Sequence, residues 1–447
     1  MSRFYVYRIC LVATLGGLLF GYDTAVISGA VDALKAHFHL GALPLGWVVG
    51  SALIGCIIGV LIAGKLTDWA GRRSVLMLSA VLFLISALAC TVTHTSGELV
   101  IARIIGGIGV GMASLISPLY IAELSPARIR GALVSLNQIA ILVGMVLSYL
   151  ANAWIASLGD AAWLTETGWR IMLGAMSVPA VLFLLFTLTI PESPRWLLKR
   201  GRDSQARDIL IRINNDVETV DREIDVIRDA IQHEQASVSE LFRPGTVGVV
   251  VMTMVLALFQ AITGINVVMY YAPTIFTSAG IGTGAALSHS VIIGLVMMAF
   301  TVLSMFLVDR VGRKPIMLIA SAGMGASLAL LGLGFARAGA SGWGLLIWIL
   351  TYVASFSIGM GGIYWVVVTE VFPTRVRGVA TSLSVVFLWG GNFLVSQFFP
   401  AMLEALAGRV FYVFALMCLI CFFFILWCVP ETKGKSLEQI EHELFKV

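Results

Sequence analysis

A single carboxylate lies inside the first long apolar stretch of the chain, and it is the first candidate for chemistry. The stretch, residues 11–29, reads LVATLGGLLFGYDTAVISG, and Asp23 is its only charged residue. An ionised side chain in the middle of a bilayer costs at least about 2.5–3.5 kcal/mol, so such residues usually face a cavity, have a partner, or bind and release a proton. Asp23 therefore indicates either proton chemistry or a buried ion pair.

Arg103 is the partner that the sequence offers for Asp23, because it is the only other charge set well inside an apolar stretch. At 1.5 Å per helical residue, both side chains are expected roughly 8–10 Å below the same membrane surface. Two interpretations stay open. The pair is either a permanent link between two helices, or a proton switch in which Asp23 is ionised beside Arg103 and takes up a proton when Arg103 withdraws.

The elements that carry these residues are membrane-spanning helices. Of the 447 residues, 59% are hydrophobic and only 12% are charged. A spanning helix needs about 20 mostly apolar residues, and the first run lacks the cleavage pattern of a signal peptide. The composition predicts an all-α membrane protein with twelve transmembrane helices, near 9–30, 45–64, 74–93, 98–119, 132–154, 169–190, 247–274, 287–308, 315–335, 343–369, 379–399 and 409–429.

The distribution of basic residues predicts the orientation. Alternate loops hold Lys65, Arg72, Arg73, Arg128, Arg130, Arg310, Arg313, Lys314, Arg375 and Arg377, whereas the other side holds only Lys35, Arg170, Arg337 and Arg409. By the positive-inside rule, both termini are expected in the cytoplasm. The net charge of +4 reflects this asymmetry, so we expect the lipid bilayer as a partner and no nucleic acid.

An internal repeat divides the chain. The loops GKLTDWAGRRS and FLVDRVGRKP, AELSPARIRG and TEVFPTRVRG, and PESPRW and PETKGKS form three pairs about 240 positions apart, which is typical of parallel repeats in transporters. A charged stretch with helical apolar spacing separates the two halves. The sequence predicts a six-helix bundle at 1–190, a cytoplasmic amphipathic helical linker at 191–245, a second six-helix bundle at 246–430 and a cytoplasmic tail at 431–447.

These repeated loops resemble the signatures of the major facilitator superfamily, and PESPRW, PETKG and the paired E-x-x-P-x-R-x-R-G resemble its sugar porter branch over essentially the whole chain. Segments such as GINVVMYYAP are similar to those of the bacterial D-xylose–proton symporter type. The resemblance implies two pseudo-symmetric halves, alternating access, and proton-coupled uptake of a monosaccharide, a pentose or a hexose, by a monomer in the bacterial inner membrane. It also implies a proton role for Asp23, because uniporting relatives have an uncharged residue there.

Three alternative functions stay open. A facilitative sugar or polyol uniporter is the first alternative, and a drug-type proton antiporter of the same superfamily is the second. A transport-dead sensor is a third, which a long signalling tail would favour. The sequence has no phosphate-cradling Gly-x-x-x-x-Gly-Lys-Ser/Thr loop, so we expect neither an enzyme nor a cofactor.

Charges in the repeated loops form a second candidate site. An exposed ion pair contributes only about 0–1 kcal/mol, but a network at helix ends can bias a two-state equilibrium by more. The resemblance implies that these charges are gate contacts; a cluster that only sets topology is the alternative. The candidates are Asp68, Arg72, Glu123, Arg130, Asp309, Arg313, Glu370 and Arg377.

Sugar ligands are expected at the membrane midplane, on helices interrupted by glycine. The seventh and tenth runs, LFQAITGINVVMYYAP and IGMGGIYWVVVTE, have such interruptions. A sugar needs amides that donate and accept hydrogen bonds and an aromatic face, although a single amide can equally join two helices. By resemblance the candidates are Phe20, Gln138, Gln260, Asn266, Tyr270 and Trp365, with Trp389 and Asn392 as weaker ones.

Four positions depart from the xylose type, which has polar ligands there. This chain has Ala261, Met297, Leu388 and Met145, and we expect these apolar side chains to line the cavity. Because each lost hydrogen bond is worth about 0.5–1.5 kcal/mol, D-xylose is expected to bind weakly. The sequence does not identify the sugar.

Overall fold

The computed structural model describes residues 2–126, 128–214, 217–232, 246–336, 342–372, 376–435 and 439, and every regular element in these ranges is helical. Two basic residues of the orientation argument, Arg337 and Arg375, lie outside these ranges. So do the end of the predicted linker and most of the predicted tail.

Five long helices begin the chain. Their bounds are α1 (Ser2–His37), α2 (Ala42–Ala70), α3 (Arg72–Val92), α4 (Ser96–Leu124) and α5 (Arg130–Ala156). The start of α4 is set by a capping box, in which Thr95 accepts from the Glu98 backbone and Glu98 reaches back to the cap. The sixth span is interrupted, and its parts are α6 (Ala161–Trp163), a π-helical turn (Leu164–Gly168), α7 (Trp169–Gly174) and α8 (Ser177–Thr187).

Three shorter helices follow the sixth span. They are α9 (Pro194–Lys199), α10 (Asp203–Asn214) and α11 (Val217–Gln232). Trp196, Leu210, Val220 and Ile224 belong to one buried apolar cluster that these helices share. The predicted amphipathic helical linker contains α10 and α11, and both helices bury apolar residues in this cluster.

The later spans repeat the pattern of long helices with interruptions. Their bounds are α12 (Thr246–Ile262), α13 (Ile265–Ser278), α14 (Thr283–Val311), α15 (Arg313–Ala336), α16 (Gly342–Phe356), a π-helical turn (Ser357–Gly361), α17 (Gly362–Glu370), α18 (Arg377–Leu406), a 3-10 turn (Ala407–Arg409) and α19 (Val410–Cys428).

The number of spans agrees with the sequence. Eleven helical stretches of the described chain are long and apolar enough to cross a membrane, and the last of them, Gly378–Cys428, contains both α18 and α19. The twelve predicted spans are thereby confirmed. Trp69, Trp154, Trp343 and Trp427 are exposed within two residues of a helix end, where the headgroups of a bilayer favour tryptophan.

Glycine interrupts the seventh and tenth spans, as predicted. Gly264 has a φ of +99° between α12 and α13, a left-handed conformation that glycine adopts without steric cost. The carbonyl of Thr263 accepts a hydrogen bond from the Tyr352 hydroxyl at 3.0 Å. In the tenth span, the π-helical turn offers the Ile358 carbonyl to the Ser304 hydroxyl at 2.6 Å. Both breaks keep their freed backbone groups hydrogen-bonded within the protein.

The chain forms two compact units by internal contacts. The first unit comprises Met1–Thr24, Ile54–Ser148 and Leu173–Gln235, and the second comprises Ala25–Leu53, Tyr149–Met172 and Ala236–Val447. The boundaries cut through α1, α2, α5 and α7. The division at 1–190 and 246–430 describes the sequence repeat, and it stays a prediction.

Candidate functional site

The structure brings Asp23 and Arg103 together in the first unit. The Arg103 Nη1 atom on α4 donates a hydrogen bond to the Asp23 Oδ1 atom on α1 at 2.8 Å, and each residue is only 3% exposed. Gly106, one turn after Arg103, allows α4 to pack closely against α3 and α1 at this point. A Cβ atom on Gly106 would lie 2.5 Å from Ser86 Oγ and 3.8 Å from Asp23 Oδ1.

Burial makes this pair sensitive to protonation. Both charges have lost water, so the ion pair is retained only while each has its partner, and removing one partner of such a pair costs about 3–5 kcal/mol. A proton on Asp23 would neutralise the carboxylate and leave the Arg103 guanidinium without its counter-ion. The arrangement can therefore link proton binding to separation of α1 and α4, and the switch role stays a prediction.

A second ion pair joins the end of α4 to the start of α3. The Arg72 Nε and Nη2 atoms each lie 2.9 Å from a Glu123 oxygen, and Arg72 is 6% exposed. Ser193 also donates to Glu123. The Glu192 carboxylate accepts hydrogen bonds from the backbone N–H groups of Arg72 at 2.8 Å and of Arg73 at 3.2 Å. It therefore caps the N-terminus of α3.

The second unit contains the same arrangement at the repeated positions. Arg313 Nη2 lies 2.9 Å from Glu370 Oε1 and 3.2 Å from Asp309 Oδ1. Glu431 accepts the backbone N–H groups of Arg313 and Lys314, each at 3.1 Å. The two repeated motifs thus form equivalent charge clusters, each built inside one unit.

Three predicted gate residues differ from this pattern. Asp68 pairs with Lys199 of α9 at 3.1 Å rather than with Arg72, because α9 lies against the end of α2 and its Trp196 donates to the Asp68 carbonyl at 3.0 Å. The Arg130 guanidinium donates to the Ser125 backbone carbonyl at 3.3 Å. The side chain of Arg377 lies outside the described part of the chain.

The two glutamates at the starts of α3 and α15 were missed in the sequence, although PESPRW and PETKG pointed to them. Burial raises the pKa of Glu192 above its ordinary value, against the hydrogen bonds from Ser193, Arg73 and Arg72. Burial also acts to raise the pKa of Glu431, but four backbone N–H groups outweigh it and hold that pKa below its ordinary value. Equivalent positions are thus electrostatically different.

Six of the eight sugar candidates belong to the second unit. Gln260, Asn266, Tyr270, Trp389 and Asn392 are buried, and Trp365 is half-buried. Phe20 and Gln138 belong to the first unit, and both are half-buried.

The amide of Gln260 is anchored at the broken tenth span. Its Nε2 atom donates to the Met360 carbonyl in the π-helical turn at 3.2 Å. Gln260 Oε1 and Asn392 Oδ1 are buried and have no hydrogen-bond partner among the described residues. Buried acceptors normally have a partner, so these two oxygens are suited to accept from ligand hydroxyls.

Tyr364 is a candidate sugar ligand that was not predicted from the sequence. Its hydroxyl is buried without a hydrogen-bond partner in the described chain. Its ring packs edge-on against Trp365, with centroids 5.2 Å apart. The IYWVVV segment has no polarity pattern that would have singled out this hydroxyl.

The four apolar departures are all buried, and one of them does not fit the expectation that they line a cavity. Ala261 is fully buried, and its Cβ atom lies 2.9 Å from the place where a Cβ atom on Gly391 would be. Because α12 and α18 approach closely here, a longer side chain at this position is expected to be overpacked. Met297 and Leu388 in the second unit, and Met145 in the first, retain 3–5% exposure.

Comparisons with known proteins agree over almost the whole chain. The family model described as "Sugar (and other) transporter" matches residues 9–444. The arabinose-proton symporter of Bacillus subtilis (strain 168) is 42% identical over 98% of this chain and 95% of its own length. The D-xylose-proton symporter of Escherichia coli (strain K12) is 43% identical over the same shares. The inward-open structure of the E. coli xylose transporter XylE has a TM-score of 0.88 and 41% identity, covering 98% of this chain and 100% of that one.

Proposed function

Because the chain belongs to the sugar (and other) transporter family, we propose that it takes up a monosaccharide together with a proton by alternating access. The family consists of transporters rather than enzymes, and this chain is a multi-pass membrane protein. The proposed location is a bacterial inner membrane, with both termini in the cytoplasm. Within the proposed range of pentoses and hexoses, the names of the arabinose-proton and D-xylose-proton symporters support a pentose as cargo.

The buried pair of Asp23 and Arg103 is the observation that carries the proton coupling. At 2.8 Å and 3% exposure, the carboxylate is paired with an arginine on a different helix. When α1 and α4 move apart, the unpaired carboxylate is expected to take up a proton, because an uncompensated buried charge is costly. A uniporter would need no ionisable group at this position, so the pair argues against that alternative.

The second unit supplies the proposed sugar ligands. Gln260 Oε1 and Asn392 Oδ1 would accept hydrogen bonds from hydroxyls, while Trp365 and Trp389 offer aromatic faces to C–H groups. Asn266 and Tyr270, beside the break at Gly264, complete this set. Phe20 and Gln138 in the first unit remain additional candidates.

The two charge clusters are the proposed inner gates. Each holds the ends of spans together through an arginine–carboxylate pair, Arg72 with Glu123 and Arg313 with Glu370. Their equivalence supports a pseudo-symmetric mechanism in which each half moves as one body. We also propose that the transporter works as a monomer.

Reconstituted vesicles test the function directly. Purified protein in liposomes with an acidic exterior should accumulate labelled D-xylose or L-arabinose, and a protonophore should abolish the accumulation. Asp23→Asn should lose accumulation and keep exchange of labelled for unlabelled sugar, because the amide carries no proton. Glu166→Gln, the same change at an exposed position, is the control. Accumulation that survives the protonophore would contradict proton coupling, and no flux of any monosaccharide would contradict the cargo class.

A further inference from the structure

A second carboxylate on α1 holds this helix to α13 inside the second unit. Asp32 Oδ1 accepts a hydrogen bond from Thr274 Oγ1 at 2.8 Å. Thr277 Oγ1 lies 3.2 Å from Asp32 Oδ2 and 3.1 Å from the Thr274 carbonyl, and these two acceptors share its one proton. The two threonines are three residues apart on α13, so their hydroxyls share one face. We name this three-residue contact the outer latch, since the positive-inside rule puts this end of α1 outside.

Other contacts at the same end also join early spans to late ones. Lys35 Nζ lies 3.0 Å from Glu404 Oε1, and the buried Tyr149 hydroxyl donates to the Met269 carbonyl at 3.0 Å. The second unit thus has its α1, α5, α13 and α18 segments connected by polar contacts. In a transporter that opens alternately to the two sides, contacts of this kind have to break when the outer end opens.

The outer latch is expected to be stronger than the Lys35–Glu404 ion pair. The side chains of Lys35 and Glu404 are 47% and 56% exposed, and an exposed ion pair shifts an equilibrium by about five-fold at most. Asp32, Thr274 and Thr277 are half-buried. Hydrogen bonds to a charged, partly dehydrated acceptor shift an equilibrium by roughly ten-fold or more.

The position of Asp32 on α1 links it to the proton site. Asp23 and Asp32 are nine residues apart on one continuous helix, and at about 100° per residue they project from opposite faces. One carboxylate therefore binds α4, and the other binds α13. Because a helix moves as a rigid element, displacement of α1 at one contact is transmitted to the other.

We propose that the outer latch keeps the resting transporter closed at its outer end, and that Asp32 is the residue on which this closure depends. The inference rests on the proposed alternating-access function, but it concerns the resting population and needs neither sugar nor a proton gradient. Its test can therefore fail while uptake succeeds, and the reverse is also possible.

A cysteine placed in the adjacent cavity reports on closure. Lys35, Thr274, Glu404 and Leu45 contribute to the lining of a cavity of about 260 Å³, and Leu45 is only 2% exposed. The variant Leu45→Cys would be labelled with a membrane-impermeant thiol reagent added outside intact cells. The parent protein measures the background, since five of its six cysteines are buried and only Cys428 is exposed.

Asp32→Ala in the Leu45→Cys background should raise the labelling rate roughly ten-fold or more. Thr274→Val with Thr277→Val, which keeps the shape of both side chains, should raise it comparably, and adding Asp32→Ala should then have little further effect. Glu404→Gln, at the exposed pair, is the matched control with a change of about five-fold at most. Unchanged labelling in the threonine variant, which is the change least able to disturb folding, would overturn the proposal. Independent, multiplying effects of the aspartate and threonine changes would overturn it as well.

Discussion

Removing both members of the Asp23–Arg103 pair should cost less stability than the sum of the two single removals. Asp23→Asn leaves a guanidinium buried at 3% exposure without its counter-ion, and breaking a buried pair in this way costs about 3–5 kcal/mol. Arg103→Met leaves the carboxylate equally isolated. The double variant, Asp23→Asn with Arg103→Met, has no uncompensated charge. Its amide and its flexible thioether occupy volumes similar to those of the original side chains. Its cost should be less than the sum of the two single changes by about 2–3 kcal/mol.

The assay is the unfolding free energy of the four proteins in one detergent, measured by denaturant titration at fixed pH. An exposed pair in the same unit gives the control cycle. Asp68 and Lys199 lie 3.1 Å apart, but their side chains are 57% and 39% exposed, so their coupling should be about 0–1 kcal/mol. If the Asp23 and Arg103 changes were additive, the reasoning from burial would be refuted, and the resting protein would not contain this ion pair.

Two further predictions concern pH and packing. Since the pKa of Glu192 is raised and that of Glu431 is lowered, acidification favours the folded state through Glu192 and disfavours it through Glu431. As the pH is lowered below 7, the melting temperature of Glu192→Gln should therefore fall more steeply than the melting temperature of the parent protein. The melting temperature of Glu431→Gln should fall less steeply. Parallel curves of melting temperature against pH for the three proteins would contradict this. Ala261→Gln should destabilise the protein by about 1–3 kcal/mol through overpacking against Gly391. It should not raise the affinity for D-xylose measured by calorimetry, and Leu388→Gln is the variant to compare with it.

Apolar run length and the repeat were sufficient to predict the spans. Helix formation in a membrane satisfies the backbone internally, so runs of about 20 apolar residues predict helices without further information. Gly264 and the glycines around Met360 marked the two breaks, although glycine also allows close packing of uninterrupted helices, as Gly106 does in α4. The start of the sixth span at Ala161 and its π-helical turn were not predicted, since Glu166 and its neighbouring threonines interrupt the apolar pattern before residue 169.

Contacts between side chains were harder to predict than spans. Asp23 and Arg103 could be paired because the described spans contain few deep charges and the two depths agreed. The partner of Asp68 could not, because Lys199 reaches it only through the docking of α9 on the end of α2. The rotation of α12 against α18 likewise decides that Ala261 lies against Gly391 rather than beside a cavity. Helix rotation and tilt depend on packing of the whole bundle, and one sequence does not specify them.

The last span sets a limit on the bilayers that suit this protein. With 19 residues, α19 is about 28 Å long, close to the hydrocarbon thickness of about 30 Å of an average membrane. Its exposed Trp427 marks one end. Longer spans such as α14, with 29 residues, can match a thinner membrane by tilting, but α19 has no spare length for a thicker one. Thick bilayers rich in sterol should therefore strain α19 before the other spans. The transport rate is then expected to depend on the lipid composition chosen for reconstitution.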